Sequence, residues 1–472
     1  MISVVMTLTR HGRLLALGLA VVAGHALVAR APAARADDWP QLDWPQWMGP
    51  QRDGVWRESG VVAALPPRGL PVKWRVPVHG GYAGPAVAHG RVYLCDYECR
   101  EGELTNNPND RTALGGRERV LCLDAATGAV IWQHAYECPY SISYAAGPRC
   151  TPTVADGKVY TLGAEGDLLC LDADKGSVIW SKQFKRDYGA PTPIWGFCGH
   201  PLVDGKTLVC LVGGTGSVAV AFDKDTGAER WRAGSASEPG YCPPTMIESA
   251  GVRQLVIWDA DKLNSLDPAT GNLHWSQPLK PSYGMSIMAP QVADTRAGRV
   301  LFASGIGRVG ALFRLAADKP AASIAWRGEP KTAVYCANST PFIEGETIYG
   351  CDCETGMLTA VDVATGRRLW ETAEPTTGGS RRGRHGTAFL VRHRPPGAAA
   401  PAGGTTWIFS ETGELILARL TPDRYEELGR MPLLEPTNEC FGRAVVWSHP
   451  AFAGRHIFAR SDRELVCVAA GE

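Results

Sequence analysis

The 472-residue sequence lacks an excess of charge of either sign, because 48 lysines and arginines balance 48 aspartates and glutamates. The absence of a basic excess argues against nucleic acid as a partner, and no acidic run indicates a tail. A Gly-x-Ser-x-Gly motif, which would mark a nucleophilic serine, is also absent. What remains is a neutral chain with 54 glycines and 34 prolines, a composition that fits a turn-rich, all-β protein.

Residues 1–36 differ from the rest of the chain. Arg10 and Arg13 precede an apolar run at residues 14–28, and residues 34–36 offer a small-x-small cleavage site. This order is typical of a secretory signal peptide. A membrane anchor is the weaker alternative, because a span needs about 20 apolar residues. The pattern predicts a periplasmic or secreted protein with no membrane span after cleavage. No cysteine stands at the cleavage site, so attachment of a lipid is not supported.

One eleven-residue unit recurs through the remaining chain. It begins with a small residue, has Asp two positions later, Gly four positions after the Asp and Trp four positions after the Gly. The five copies occupy residues 122–132, 170–180, 221–231, 265–275 and 360–370. The Asp starts a turn, the Gly supplies the positive φ that ends it, and the Trp docks its ring on a neighbouring unit. Each copy is therefore predicted to be a β-hairpin.

The spacing of the tryptophans predicts how these hairpins assemble. Trp326 belongs to a degenerate copy that has lost the Gly turn, and with it the spacings are 48, 51, 44, 51 and 44 residues. Four short strands in each period of about 40 to 50 residues are typical of a β-propeller. The repeat resembles the tryptophan-docking repeat of the pyrroloquinoline quinone (PQQ) quinoprotein propellers and of the BamB-type propeller lipoprotein of outer-membrane assembly. The resemblance covers nearly the whole chain after residue 36.

The predicted fold is an all-β, eight-bladed propeller of four-stranded antiparallel blades, with seven blades as the alternative. Residues 37–71 are a Trp- and Pro-rich lead-in whose tryptophans pack on or plug the propeller, and residues 72–472 form the propeller domain. Eight inner-strand openings are visible, and the last, at 448–470, has only three strands. Residues 72–76 can supply its outer strand, which would close the ring and hide the last sheet edges.

The fourteen cysteines have two possible roles. Export permits disulfides. However, Cys122, Cys170 and Cys467 stand where sister repeats have Ala, so they are predicted to be small buried residues. The pairs Cys95/Cys99 and Cys351/Cys353 could form disulfides or bind a metal, although neither spacing is a strong metal signature.

Loops between blades share a face with the loops between second and third strands, and this face holds the unusual residues. Blade one has a polar insertion at 97–118, predicted to be a long loop there. The inter-blade loops 134–149, 182–199, 371–385 and 433–448 are also long, so we expect any function on this face. The candidate ligand-binding residues are Arg149, Cys150, His200, Tyr241, Cys242, Tyr335, Asn338, Arg382, Arg384, His385, Glu439, Arg443 and His449.

The sharpest structural prediction is that His200, His385 and His449 share one channel mouth. A single histidine beside a proline can simply hydrogen-bond a neighbouring backbone, but three converging histidines suggest a site. The arginines at 381–384 are either a solvated loop or an anion clamp. Tyr and Trp in these loops either pack or form a stacking wall, and Cys150 and Cys242 with His200 form a thiol pair, a disulfide or a soft-metal site.

Three functions follow, and the favoured one is a non-catalytic, monomeric exported propeller. It would bind a protein partner, an envelope polymer or a small ligand through the funnel, with no metal and no cofactor. The resemblance to the assembly lipoprotein supports this function, but the missing lipidation cysteine departs from that family.

The second function is a PQQ-dependent dehydrogenase, in which the cofactor would carry the hydride chemistry. The resemblance then implies PQQ and calcium in the funnel beneath a vicinal Cys-Cys disulfide. No Cys-Cys dipeptide exists here, and the nearest approach is Cys351-Asp352-Cys353.

The third function is a hydrolase or lyase. A histidine among His200, His385 and His449 would be the general base, and Arg384 or Arg443 would stabilise an oxyanion.

Overall fold

The computed structural model describes residues 42–379, 383–397 and 404–471. The predicted signal peptide and the start of the lead-in lie outside the described residues. The described chain forms eight four-stranded antiparallel sheets arranged as the predicted eight-bladed propeller. No helix in this part of the chain is long and apolar enough to cross a membrane.

The strands of each blade follow chain order from the inner to the outer edge. Blades one and two contain Ala86–Ala88, Arg91–Glu101, Thr112–Asp124 and Val130–Glu137, then Thr153–Ala155, Lys158–Leu162, Asp167–Asp172 and Val178–Gln183. Blades three and four contain Leu202–Asp204, Thr207–Leu211, Ala219–Asp223 and Glu229–Ala233, then Thr245–Ser249, Val252–Trp258, Lys262–Leu266 and Leu273–Pro278. Blades five and six contain Gln291–Thr295, Gly298–Gly305, Val309–Leu315 and Ala322–Arg327, then Phe342–Glu344, Thr347–Asp352, Met357–Asp362 and Arg368–Thr372.

The last two blades involve the lead-in and the N-terminal strand. Blade seven contains Ala388–His393, Thr405–Ser410, Glu414–Leu420 and Tyr425–Pro432, and blade eight contains Ala451–Ala453, His456–Arg460 and Glu464–Ala469. The outer strand of blade eight is Val72–Pro77, which pairs antiparallel with Glu464–Ala469. The predicted closure of the ring is therefore confirmed. The remaining elements are Val55–Trp56, Tyr140–Ile142, the hairpin strands Asn438–Cys440 and Arg443–Val445, the α-helix Phe184–Tyr188 and the 3-10 helix Ser282–Gly284.

Most of the repeated tryptophans tie one blade to the next. The indole N–H of Trp132 donates to the carbonyl of Ala173, the residue that follows the turn Asp of blade two, at 2.9 Å. The ring covers Gly176 of the same turn, where an added Cβ would lie 2.4 Å from the indole. Glycine is therefore required at position 176 for two reasons. Its φ is +70°, and only a hydrogen atom fits beneath the ring.

Blade five shows what the degenerate copy changes. Its turn between the third and fourth strands closes through Ala316 and Ala321 without a glycine. The docking Trp275 of blade four does not bond to this turn but donates to the side chain of Gln254 in its own blade at 2.9 Å. Trp326 keeps its function and donates to the carbonyl of Val363 in blade six at 2.7 Å.

The prediction that residues 97–118 form a long loop is wrong. The second and third strands of blade one continue outward through this stretch, with Tyr97 paired to Glu118, and only residues 102–111 lie between the two strands. Polar residues suggested a loop, but they pair across the strands, as Arg117 does with Glu98 at 2.5 Å. The extension is therefore a β-hairpin whose tip stands on the loop face.

The lead-in occupies the central channel. Backbone hydrogen bonds join it to the inner strands of blades one, two and seven, through Trp44, Pro45 and Gly54 respectively. The lead-in also contacts blade three, because the guanidinium of Arg52 donates to the carbonyl of Pro201 at 3.0 Å. We call residues 42–58 the plug, since inner strands surround the channel that these residues fill.

All fourteen cysteines are free thiols. Cys122, Cys170 and Cys467 are completely buried, as predicted for small core residues. Burial raises the pKa of Cys122 and of Cys170 to about 12 in each case. These thiols are packing groups and remain protonated at neutral pH.

Candidate functional site

A cavity of about 380 Å³ lies among the inter-blade loops, above the plug. Seven of the thirteen predicted residues line it, namely Arg149, His200, Tyr241, Asn338, Arg384, His385 and His449. The prediction that three histidines from different blades share one mouth is confirmed. That these residues bind a ligand stays a prediction.

Three predicted residues are buried away from the cavity. The Cys150 thiol donates to the carbonyl of Phe197 at 3.8 Å, and the Tyr335 hydroxyl donates to the carbonyl of Glu329 at 2.6 Å. Cys242 is 1% exposed and likewise belongs to a core cluster. A place in the inter-blade loops therefore does not direct every side chain to the channel, since these three pack between blades instead.

The other predicted residues lie around the cavity rather than in its lining. Arg443 is held by an ion pair with the buried Glu411 at 2.9 Å. Glu439 is exposed on the short hairpin between blades seven and eight. Arg382 lies outside the described residues.

His200 is uncharged and immobilised. Its Nδ1 accepts a hydrogen bond from the backbone N–H of Thr151 at 2.9 Å. Its ring stacks on Trp47, with centroids 4.9 Å apart and planes 13° from parallel. Burial, reinforced by the charge of Arg52, holds the pKa of His200 well below its ordinary value.

The other two histidines are also neutral at pH 7. Burial lowers the pKa of His449 to about 3. The pKa of His385 falls to about 4, chiefly through burial and then through its neighbours Arg384 and Arg443. The His385 ring stacks on Phe441 at 5.0 Å. The histidines therefore act here as neutral aromatic groups, of which His200 and His385 stack on a neighbouring ring.

The floor of the cavity is Trp47, which reasoning from the sequence did not select. The side chain comes from the plug, is 4% exposed and contacts His449 edge-on with centroids 5.7 Å apart. Arg52 lies over its ring at 5.4 Å. The only signal in the sequence was the Trp-Pro-Gln-Trp run at 44–47, which lies about a hundred residues or more from the loops it meets.

The tip of the blade-one extension forms part of the cavity lining. The amide of Asn106 donates to the carbonyl of Glu439 at 2.9 Å, which joins the extension to the hairpin before blade eight. Ser143 anchors the same tip by donating to the carbonyl of Asn107 at 2.6 Å. Pro108 and Asn109 line the cavity. The sequence located the insertion on this face but did not reveal that its tip lines the cavity.

The lining combines aromatic surface with positive charge. Arg149 is fixed by donating to the carbonyls of Ser143 and Tyr144, at 2.8 and 2.7 Å, and lies over the ring of Tyr82 at 5.1 Å. Arg384 is exposed at the rim. Among the residues that the structure describes, no aspartate or glutamate lines the cavity. An anion or a hydrogen-bond acceptor would therefore find a favourable field here.

No metal centre is formed by the described ranges 42–379, 383–397 and 404–471. They contain no group of three or more His, Cys, Asp or Glu side chains that could hold a metal ion. The Cys351 thiol is buried in the core, where it donates a hydrogen bond to the carbonyl of Ala388 at 3.5 Å.

Comparison with known proteins gives one family match. The family described as outer membrane protein assembly factor BamB matches residues 116–372, just over half of the chain. No curated protein matches the sequence.

Solved structures resemble the propeller at low sequence identity. Quinohemoprotein alcohol dehydrogenase from Comamonas testosteroni is 14% identical, with a TM-score of 0.55, over 94% of this chain and 82% of that one. A europium-containing methanol dehydrogenase is 12% identical, with a TM-score of 0.57, over 92% and 91% of the two chains. BamB from Moraxella catarrhalis is 15% identical, with a TM-score of 0.38, over 84% and 99%. At such identities the likeness to the two dehydrogenases shows the fold alone.

Proposed function

This chain belongs to the family of the outer membrane protein assembly factor BamB, and from that premise we propose that it is a non-catalytic, exported propeller that binds a small ligand in the plug-floored cavity. The observation that carries the proposal is the cavity itself, about 380 Å³ in size, lined by aromatic rings and closed below by Trp47. This size and lining match those of small-molecule sites. Export is proposed from the pattern of residues 1–36.

The state of the histidines supports binding over catalysis. A general base works best with a pKa near the operating pH, whereas the pKa of His385 is lowered to about 4 and that of His449 to about 3. Groups that could act as nucleophiles are engaged elsewhere. Ser339 shares a hydrogen bond with Thr387 at 3.0 Å, and burial raises the pKa of the Cys198 thiol to about 11. We therefore rank the hydrolase or lyase below a binding function.

PQQ with calcium does not fit the lining residues. Calcium takes oxygen ligands and usually several carboxylates, and the described lining has none. The cysteines that come closest to a vicinal pair, Cys351 and Cys353, are both buried in the core rather than facing the cavity. We therefore propose that the protein works without this cofactor, and that its likeness to quinoprotein dehydrogenases concerns the propeller only.

A protein partner is the alternative occupant. The family description as an assembly factor favours it, and the rim residues Tyr283 and Phe441 are 69% and 45% exposed. We prefer a small ligand because the blade-one tip and the aromatic loops line a pocket of about 380 Å³, a size that a small molecule would fill. A partner would have to insert a side chain between these aromatics.

The proposal is tested by thermal unfolding of the mature protein with candidate ligands. A ligand that binds only the folded state at 100 times its Kd adds about 2.7 kcal/mol of stability and raises the midpoint. The panel contains PQQ with calcium, zinc, neutral glycans and aromatic acids. Phe441→Ala should abolish the shift from a true ligand because it removes an exposed ring from the lining.

The matched control is Leu273→Ala, which removes a side chain of similar exposure, 59%, from the outer strand of blade four. It should leave the ligand shift unchanged. A shift with PQQ and calcium would overturn the ranking, and a shift that survives in Phe441→Ala would place the ligand elsewhere. No shift with any compound would contradict the small-ligand proposal and favour a protein partner.

A further inference from the structure

We infer that the ligand's buried end is a hydrogen-bond acceptor, a carboxylate or a carbonyl group, which accepts from the indole N–H of Trp47 and the side-chain amide of Asn338. The inference rests on the proposed function and adds the chemical class of the ligand. It also assigns the selecting residue to the plug and not to a blade.

Trp47 carries an unused donor at the cavity floor. Its side chain is 96% buried, since 4% of its surface is exposed, and its Nε1 has no hydrogen-bond partner. The ring is fixed between His200, Arg52 and the edge contact with His449. A buried N–H without an acceptor is costly and is uncommon in folded proteins. A ligand acceptor that reaches this N–H would remove that cost.

Asn338 supplies a second unused donor from the loop between blades five and six. Its Nδ2 is buried and has no partner, and the residue lines the same cavity. Most indole N–H groups of this propeller are occupied, as the bond from Trp132 to Ala173 illustrates. The buried hydroxyls of Tyr82 and Tyr241 at the same cavity also have no partner, but a hydroxyl can donate or accept, whereas the two N–H donors require an acceptor.

The surrounding charge has the sign that this acceptor requires. Arg149 and Arg384 line the cavity, and the described lining contributes no carboxylate against them. The neutral histidines neither repel a cation nor attract an anion. The two arginines therefore set the sign of the electrostatic potential in the cavity. A carboxylate gains from both arginines and from the two neutral donors, whereas an ammonium group finds two positive charges and no counter-charge.

Three probes of one shape test the inference by equilibrium dialysis. They are 2-naphthoate, which offers only acceptors, 2-naphthamide, which offers one acceptor, and 2-naphthylmethylammonium, which offers only donors. We expect affinity to fall in that order. Trp47→Phe keeps a ring on His200 but removes the N–H, so it should weaken 2-naphthoate about tenfold, equivalent to one hydrogen bond to a charged group.

Two controls separate this hydrogen bond from changes in packing. Binding of the ammonium probe should be unchanged in Trp47→Phe, because that probe makes no bond to the N–H. Trp407→Phe removes another buried, unpartnered indole N–H that lies outside the cavity lining, and should leave all affinities unchanged. Asn338→Asp is a second variant, in which the new carboxylate should weaken 2-naphthoate about tenfold or more and strengthen the ammonium probe.

The outcomes distinguish the inference from the proposed function. If the ammonium probe binds as tightly as 2-naphthoate, or if Trp47→Phe weakens all probes equally, the inference is wrong while the binding function stands. If no probe binds although another compound raises the midpoint through Phe441, the acceptor class is likewise wrong. If nothing binds in the cavity, both fail together.

Discussion

Gly176→Ala tests whether the docked tryptophans hold the blades together. Gly176 of blade two has φ of +70°, and a Cβ added there would lie 2.4 Å from the Trp132 ring of blade one. Two costs are expected. An L-residue in the left-handed region costs about 1–2 kcal/mol, and forcing a methyl group into a packed contact costs about 1–3 kcal/mol more.

The same blade provides a matched control for the backbone cost. Gly157 has φ of +71°, but nothing lies within 4 Å of its added Cβ. Gly157→Ala should therefore lower the free energy of unfolding by only the about 1–2 kcal/mol of the φ term. The difference between the two variants measures the docking contact, because their φ angles are nearly identical.

Equilibrium denaturation of both variants gives the comparison, with an additional Gly176→Ala variant in a Trp132→Ala background. Removing the ring should abolish the excess cost of Gly176→Ala, which is the signature of a direct contact in a double-mutant cycle. Equal destabilisation by Gly157→Ala and Gly176→Ala would refute the reasoning, since the glycines would then be required only for their turns.

Two further predictions concern titration and thiol chemistry. Burial lowers the folded-state pKa of His385 to about 4 and of His449 to about 3. The unfolded histidines keep a pKa of about 6.5, so below that pH the unfolded state binds more protons than the folded state. Stability from these residues is present above pH 6.5 and is lost as pH falls toward 4, with a slope of up to about 1.4 kcal/mol per pH unit for each. His449→Asn should flatten this part of a stability profile, and an unchanged profile would contradict it. A thiol reagent should find one fast group in the native protein, Cys99, which is the only exposed cysteine of the fourteen. Cys99→Ser should remove the fast phase, and fewer than fourteen thiols on non-reducing denaturation would reveal a disulfide.

The blades could be predicted from the sequence because their determinants are local. The Asp-to-Trp unit specifies a turn, two strands and a docking ring within eleven residues, and its period sets the blade size. Blade five shows the limit of this reasoning. Its turn lost the glycine, and the sequence did not show that Trp275 would bond instead to Gln254 in its own blade.

The cavity could be predicted only in part. Inner-strand openings indicated that His200, His385 and His449 meet, because each blade presents the same position to the channel. The direction of each side chain could not be predicted, and Cys150 and Tyr335 turn into the core. Burial against neighbouring blades decides that direction, and such neighbours are far apart in sequence.

The sequence alone determined the repeat and the all-β class, and it favoured eight blades over seven, with closure by residues 72–76. These follow from hydrogen bonds and packing between residues that are close in sequence or equivalent by repetition. Only the tertiary structure decided that the lead-in plugs the channel and does not pack on the propeller surface, that Trp47 becomes the floor of the cavity and that the tip of the blade-one extension joins its lining. The bond from Asn106 to Glu439 spans 333 residues, and contacts of this kind depend on the closed ring, which brings together segments that share no local pattern.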